Sequence, residues 1–139
     1  MAALPGSIAQ FPFTIKQGAD WPITMTWLDD NGNPMNLTGY VMTLSICPSP
    51  GATPLLTLSS ASSSGSRIIL GGTAGTIELF FARADTLALV AGGAPLPNPS
   101  AGGPVVYKIG SHDLKYVDQD GLTNYLFEGS AFLDRSSTV

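Results

Sequence analysis

The chain has 139 residues, of which 44% are hydrophobic and 12% charged, with a net charge of -4, one Cys and one His. This is the length of one ordinary domain and too apolar for a disordered chain; its acidic balance is the wrong sign for gripping a phosphate backbone, so nucleic acid is not an expected partner. Cys47 has no second cysteine to pair with, and one thiol with one imidazole falls short of the four ligands of a structural zinc site, so neither a disulfide framework nor a metal or other cofactor is expected. Residues 1–7 lack the basic cluster and apolar run of a secretory signal, and no stretch of about 18 apolar residues is present to span a bilayer; the expectation is a cytoplasmic chain with no membrane partner.

From Phe11 the side chains alternate, with Phe11, Phe13 and Ile15 on one parity and Pro12, Thr14 and Lys16 on the other, the period of a half-buried strand. Pro12 has no amide to donate, which confines this strand to an edge or to pairing along one side. A second strand follows the break at residues 17–20, with Trp21, Ile23, Met25 and Trp27 facing inward. The run Asp29-Asp30-Asn31-Gly32-Asn33-Pro34 collects residues that tolerate positive φ or cap locally, and predicts a chain reversal. Beyond it, Leu37 is expected to plug the sheet end, Thr38 to cap a backbone amide and Gly39 to take a conformation that side chains disfavour. Tyr40, Met42, Leu44 and Ile46 then mark a third strand that stops at Pro48, and residues 55–58 mark a short fourth.

Residues 59–66 are almost entirely Ser, Ala and Gly, a composition that gains little by burial, and predict a mobile loop that a partner would have to order. Short strands are expected at residues 67–70 and 76–81, around a turn at 71–75. The only helical segment, residues 83–89, is too short to stand without tertiary support and is expected to cross the end of a sheet. Residues 91–104 hold Pro95, Pro97, Pro99 and Pro104 among glycines, which favours extended polyproline geometry and makes this loop the leading candidate for a contact arm. Two long strands, 105–117 and 122–133, flank Asp118-Gln119-Asp120-Gly121, a strong hairpin signal. Gly110 predicts a bulge, because Val105, Tyr107 and Ile109 share one parity and Leu114 and Tyr116 the other. Seven or eight short strands with almost no helix predict an all-β, antiparallel β-sandwich, immunoglobulin-like or jelly-roll, with one short helical turn. The expected organisation is an N-terminal arm 1–10, a sandwich 11–134 and a tail 135–139.

Four groups of residues carry a family likeness: Phe13-Thr14-Ile15-Lys16-Gln17-Gly18; the corner Trp27-Leu28-Asp29-Asp30-Asn31-Gly32-Asn33-Pro34-Met35-Asn36-Leu37-Thr38-Gly39-Tyr40; Gly75-Thr76-Ile77-Glu78-Leu79; and the closing hairpin with Leu126-Phe127-Glu128-Gly129. On these motifs the chain resembles small structural proteins of tailed bacteriophages, and its Leu-Thr-Gly corner is similar to that of the amino-terminal β-sandwich modules of phage baseplate upper proteins. The likeness spans about residues 11–134. The Pro-rich insertion at 94–104 departs from it, because such proteins often have a short loop there.

Each chemically suggestive group also has a plainer reading. Ser111, His112 and Asp113 invite a Ser-His-Asp triad, but neighbours on a strand point to opposite faces, so His112 is expected to be a strand or interface residue. Cys47, beside Pro48 with no cation near in sequence, is expected to be a small buried hydrophobe. The two Asp-rich runs lack the spacing and terminal Glu of a calcium loop and are read as turns. Residues 71–75 are not followed by a basic residue and a helix, so they form no phosphate cradle. Trp21 and Trp27 share parity with Ile23 and Met25 and are assigned to the core.

The expectation is a non-enzymatic structural component of a tailed-phage virion, assembled in the host cytoplasm and placed in the tail, baseplate or fibre-attachment region. The resemblance implies the virion setting. Its partners would be other virion proteins, with the chain multicopy or homo-oligomeric and held through its arms. The candidate interface residues are Leu4 and Ile8 in the N-terminal arm, and Ala94, Pro95, Leu96, Pro97, Asn98 and Pro99 in the long loop. Alternatives are a capsid decoration (cement) protein and a carbohydrate-binding host-recognition module using Tyr107, Tyr116 and Tyr125.

Overall fold

A computed structural model describes residues 9–89 and 106–135. Within them the chain forms nine strands: β1 (Ala9–Gln10), β2 (Phe13–Lys16), β3 (Trp21–Thr26), β4 (Val41–Cys47), β5 (Leu56–Ser59), β6 (Arg67–Leu70), β7 (Thr76–Phe81), β8 (Val106–Val117) and β9 (Thr123–Asp134). The helix α1 (Arg83–Ala88) and a 3-10 turn at Gly72–Ala74 complete the elements. One sheet runs β1-β9-β8-β4-β5, with β2 also on β9, and the second runs β3-β7-β6. The two layers face each other across a shared core, so the all-β sandwich expected from alternation is the fold.

The core follows from period-two patterning. Met42, Leu44 and Ile46 of β4 are buried, as are Ile77, Leu79 and Phe81 of β7, while the intervening side chains face outward. Each such burial contributes about 1.5–3 kcal/mol. Leu37 is 1% exposed and closes one end of the layers, as its position in the corner predicts. The inward side chains of β3 (Trp21, Ile23 and Met25) are only half-buried, although all pack on the core, because β3 is an edge strand beside the central β7.

Gly110 is a bulge: the β8–β9 register shifts between Lys108 and Gly110, and a side chain at Gly110 would collide with the carbonyl of Cys47. A second shift, between Leu114 and Lys115, leaves Leu126 without a β8 partner. This one carries no glycine to announce it.

Three features depart from the sequence reading. First, β1 and β2 pair with β9 in parallel, whereas every other ladder is antiparallel. The strand is interrupted at Phe11-Pro12, although Phe11 N–H still donates to the Glu128 carbonyl at 2.8 Å, and the backbone of these two residues lies so close over Gly129 that a Cβ there would stand 2.8 Å from Phe11. Among the described residues the segment around Pro12 pairs along one side only, with β9, as predicted. β1 falls within the segment assigned to the arm. Second, residues 59–66 are tied down by their own hydroxyls. Met42 N–H donates to Ser60 Oγ at 2.9 Å, Ala82 N–H donates to Ser66 Oγ at 2.8 Å, and Ser66 Oγ donates to Asp85 Oδ2 at 2.5 Å. Third, the amide cap in the corner comes from Asn36, whose Oδ1 accepts from Thr38 N–H at 3.1 Å.

The helix α1 has no side-chain cap of its own; Asp20 Oδ1 accepts from Arg83 N–H at 2.7 Å and supplies one from across the fold. Thr86, fully buried, donates its hydroxyl to the Ala19 carbonyl at 2.8 Å and accepts from Gly18 N–H at 3.1 Å. These bonds pin the turn between β2 and β3 to the helix, and with it the whole N-terminal ladder.

Candidate functional site

All eight candidate interface residues, Leu4, Ile8, Ala94, Pro95, Leu96, Pro97, Asn98 and Pro99, lie outside the described residues. What the structure does show is where the motif-bearing segments meet. Asp29 Oδ1 accepts from Asn31 and Asn33 N–H, both at 2.9 Å, and closes the Asp-rich reversal as an Asx turn with Gly32 at φ 82°. Met35 N–H donates to the Trp27 carbonyl at 2.9 Å, so the corner folds back on itself.

Gly75 lies under this corner. A Cβ on it would stand 2.9 Å from Met35 N and from Trp27 O, and its φ of 69° disfavours side chains independently. Trp27 N–H donates to the Gly75 carbonyl and Leu37 N–H to the Gly72 carbonyl. From the other side the closing hairpin arrives: Gln119 Nε2 donates to the Thr38 carbonyl at 2.7 Å. Asp118 Oδ1 accepts from Asp120 and Leu122 N–H and holds the hairpin that aims Gln119. Trp27, Tyr40 and Tyr116 pack ring against ring, with centroids 5.1–6.1 Å apart. Burial, with the neighbouring Tyr40 and Asp118, pushes the Tyr116 phenol above its ordinary value. Three segments distant in sequence thus build one end of the sandwich.

The outward face of the larger sheet carries a polar row across five strands. Thr57, Ser45, Asp113, Glu128 and Gln10 stand side by side on β5, β4, β8, β9 and β1. Ser45 Oγ and Thr57 Oγ1 are 3.2 Å apart, and Gln10 Nε2 donates to Glu128 Oε2 at 3.2 Å. The next rung holds Cys47, Ser111 and Ser130, and the two rungs floor an open depression of about 460 Å³. Partial burial and the facing Glu128 push the Asp113 carboxyl above its ordinary range, with Lys115 pulling the other way. The alternation of Thr43, Ser45 and Cys47 against buried neighbours signals this polar face, but the row itself needs the strand order.

His112 points the opposite way. It is 3% exposed, stacked on Phe13 at 4.1 Å with the planes 14° apart, and edge-on to Phe127. Neither ring nitrogen meets hydrogen-bond geometry, and burial lowers the imidazole pKa against a smaller opposing pull from the Phe11 backbone. Ser111 and Asp113 therefore share a face that the imidazole does not reach, as strand alternation predicts. Cys47 is partly exposed on the polar face rather than buried. The tyrosines do not converge: Tyr107 and Tyr116 lie at opposite ends of β8, and Tyr125 is on the outward face beside Lys115. Trp21 packs against Phe13 and Phe81. Among the described residues, no group of three or more His, Cys, Asp and Glu side chains is placed to hold a metal ion, and no helix is long and apolar enough to cross a membrane. No family model and no curated protein sequence matches the chain.

Proposed function

We propose that this chain is a non-enzymatic structural component of a tailed-phage virion, acting in the tail, baseplate or fibre-attachment region. The observation that carries the reading is the convergence just described. The corner from Trp27 to Tyr40, the Gly75 segment and the closing hairpin, all of which carry the resemblance to phage structural proteins, interlock through the Trp27, Leu37 and Gln119 hydrogen bonds. Motifs that meet in space as one construction support a shared architecture better than turn grammar scattered along a chain.

The mechanism is surface burial against neighbouring virion proteins. In this reading the Pro-rich loop and the termini supply the contacts, and repeated copies add avidity to individually modest ones. Deleting residues 94–103 tests this: the variant is expected to stay folded by circular dichroism and to fail to enter particles when it replaces the normal chain. Incorporation at the normal level would overturn the arm mechanism.

A further inference from the structure

His112 is a titratable group sealed inside the sandwich, and part of the seal is a peripheral segment. The imidazole stands on β8, level with Ile46 of β4 and Gly129 of β9. Because Gly129 has no side chain, the Phe13 ring of β2 reaches across β9 and stacks on the imidazole at 4.1 Å. Phe11 packs edge-on against both Phe13 and Phe127. The strands around the ring are held unequally. β8 is bonded to β9 on one side and to β4 on the other, whereas among the described residues β1 and β2 are laddered to β9 alone. Their anchors to the helix, from Thr86 to Gly18 and Ala19 and from Gln17 to the Leu89 carbonyl, lie beyond Lys16 and stay made when the ladder lifts.

No charged side chain faces the ring. Every Asp, Glu, Lys and Arg of the chain falls within the described residues. Those on the strands about His112 take the outward parity: Lys16 on β2, Glu128 and Asp134 on β9, Lys108, Asp113 and Lys115 on β8, and Glu78 on β7. β4 carries none, and its Cys47 thiol is on the polar face. The titratable groups on the inward side of β8 are the phenols of Tyr107 and Tyr116, the nearer of them four residues along the strand, about 13 Å away. An imidazolium formed in place therefore has neither a counter-charge nor water, a costly burial. We propose that protonation of His112 releases β1 and β2 from β9, hinged at Gln17-Gly18, and leaves the rest of the sandwich standing. Lifting Phe13 opens a path to water over Gly129, so the charged ring is hydrated without parting the two sheets. The released ladder presents Phe11 and Phe13 and uncovers β9 from Phe127 to Asp134. Burial keeps the folded imidazole below its ordinary 6.5, so release is favoured as pH falls below that value and not above it. The device rests on the fold alone and is independent of the virion reading.

The test is amide hydrogen exchange by nuclear magnetic resonance on the full chain, at pH 7.5, 6.5 and 5.5 and in low urea, with rates corrected for intrinsic chemistry. The Phe11 amide, which donates to the Glu128 carbonyl, and the amides of β2 are expected to be less protected than those of the β4–β8 ladder at each pH. Below pH 6.5 their protection should fall, towards a limit of about tenfold per pH unit, and it should depend little on urea, the mark of an opening that exposes little surface. One protection level and one urea slope shared with the β4–β8 ladder would mean that the whole sandwich opens and would overturn the proposal. Unchanged protection at Phe11 between pH 6.5 and 5.5 would overturn it too. In His112→Phe the acid loss at Phe11 is expected to vanish; an equal loss there would assign the response to another group. The urea comparison in the parent chain decides the matter even if that variant does not fold.

Discussion

Acid should destabilise this fold through His112. The imidazole is 3% exposed and sandwiched by Phe13 from β2 and Phe127 from β9, with Ile46 and Gly129 as its cross-strand partners, so no carboxylate shares its face. The nearest acids along the strands, Asp113 and Glu128, stand on the opposite face. Burial holds the folded-state pKa below the ordinary 6.5. Between those two values the unfolded chain binds a proton that the folded chain refuses, so stability falls as pH drops from about 6.5 towards the folded value, and no loss from this group appears above 6.5. At pH 5.5 the unfolded-state protonation alone is worth up to about 1.4 kcal/mol, a drop of roughly 3–5 °C in Tm for a chain of this size. Replacing His112 with Phe keeps a ring on Phe13 and removes both unpartnered nitrogens. Urea unfolding of the two proteins at pH 7.5 and 5.5 should show the substitution stabilising at both values and by the larger amount at 5.5. Equal acid sensitivity in His112→Phe and the parent would refute the reasoning.

Other substitutions probe separate joints. Gly110→Ala drives a Cβ into the Cys47 carbonyl and is expected to cost about 3 kcal/mol, read by denaturant midpoint. Gly129→Ala forces the Phe11-Pro12 backbone away, so amide exchange in β1 and β2 should quicken while β8 stays protected. Thr86→Val keeps the shape but strips the hydroxyl from Gly18 N–H and the Ala19 carbonyl, at about 1–3 kcal/mol by thermal unfolding. For Asp113 the sign is reversed relative to His112. Its folded pKa is raised, so the folded state is favoured as pH falls through the carboxylate range, and Glu128→Gln should weaken that gain and stabilise slightly at neutral pH, by under about 0.5 kcal/mol for so exposed a pair.

The parts of the fold legible in sequence are those whose cause is local. Strict alternation from Met42 to Ile46 sets β4 and its buried face, Asp118 to Gly121 sets the closing hairpin, and the parity change about Gly110 marks a bulge because only a glycine fits beneath the Cys47 carbonyl. What escaped has non-local causes. Alternation in Phe11–Lys16 says that these residues form a strand but not that they run parallel to a strand 118 residues away. The Ser-rich run reads as mobile until Met42 and Ala82 amides are seen to meet its hydroxyls. Cys47 looks buried by neighbours in sequence, yet its parity puts it on the polar face with Ser111 and Ser130. That row of hydroxyls and carboxylates exists only once five strands are in order.

The most direct test of the central claim is to look for the chain in the particle. On the proposed virion role, a cryo-electron-microscopy reconstruction of purified tailed-phage particles assembled with the chain should contain, in several symmetry-related copies at the tail, baseplate or fibre attachment, density for two stacked sheets ordered β1-β9-β8-β4-β5 and β3-β7-β6, with residues 91–104 against a neighbouring protein. Purified, infectious particles that contain no copy of the chain would contradict the account.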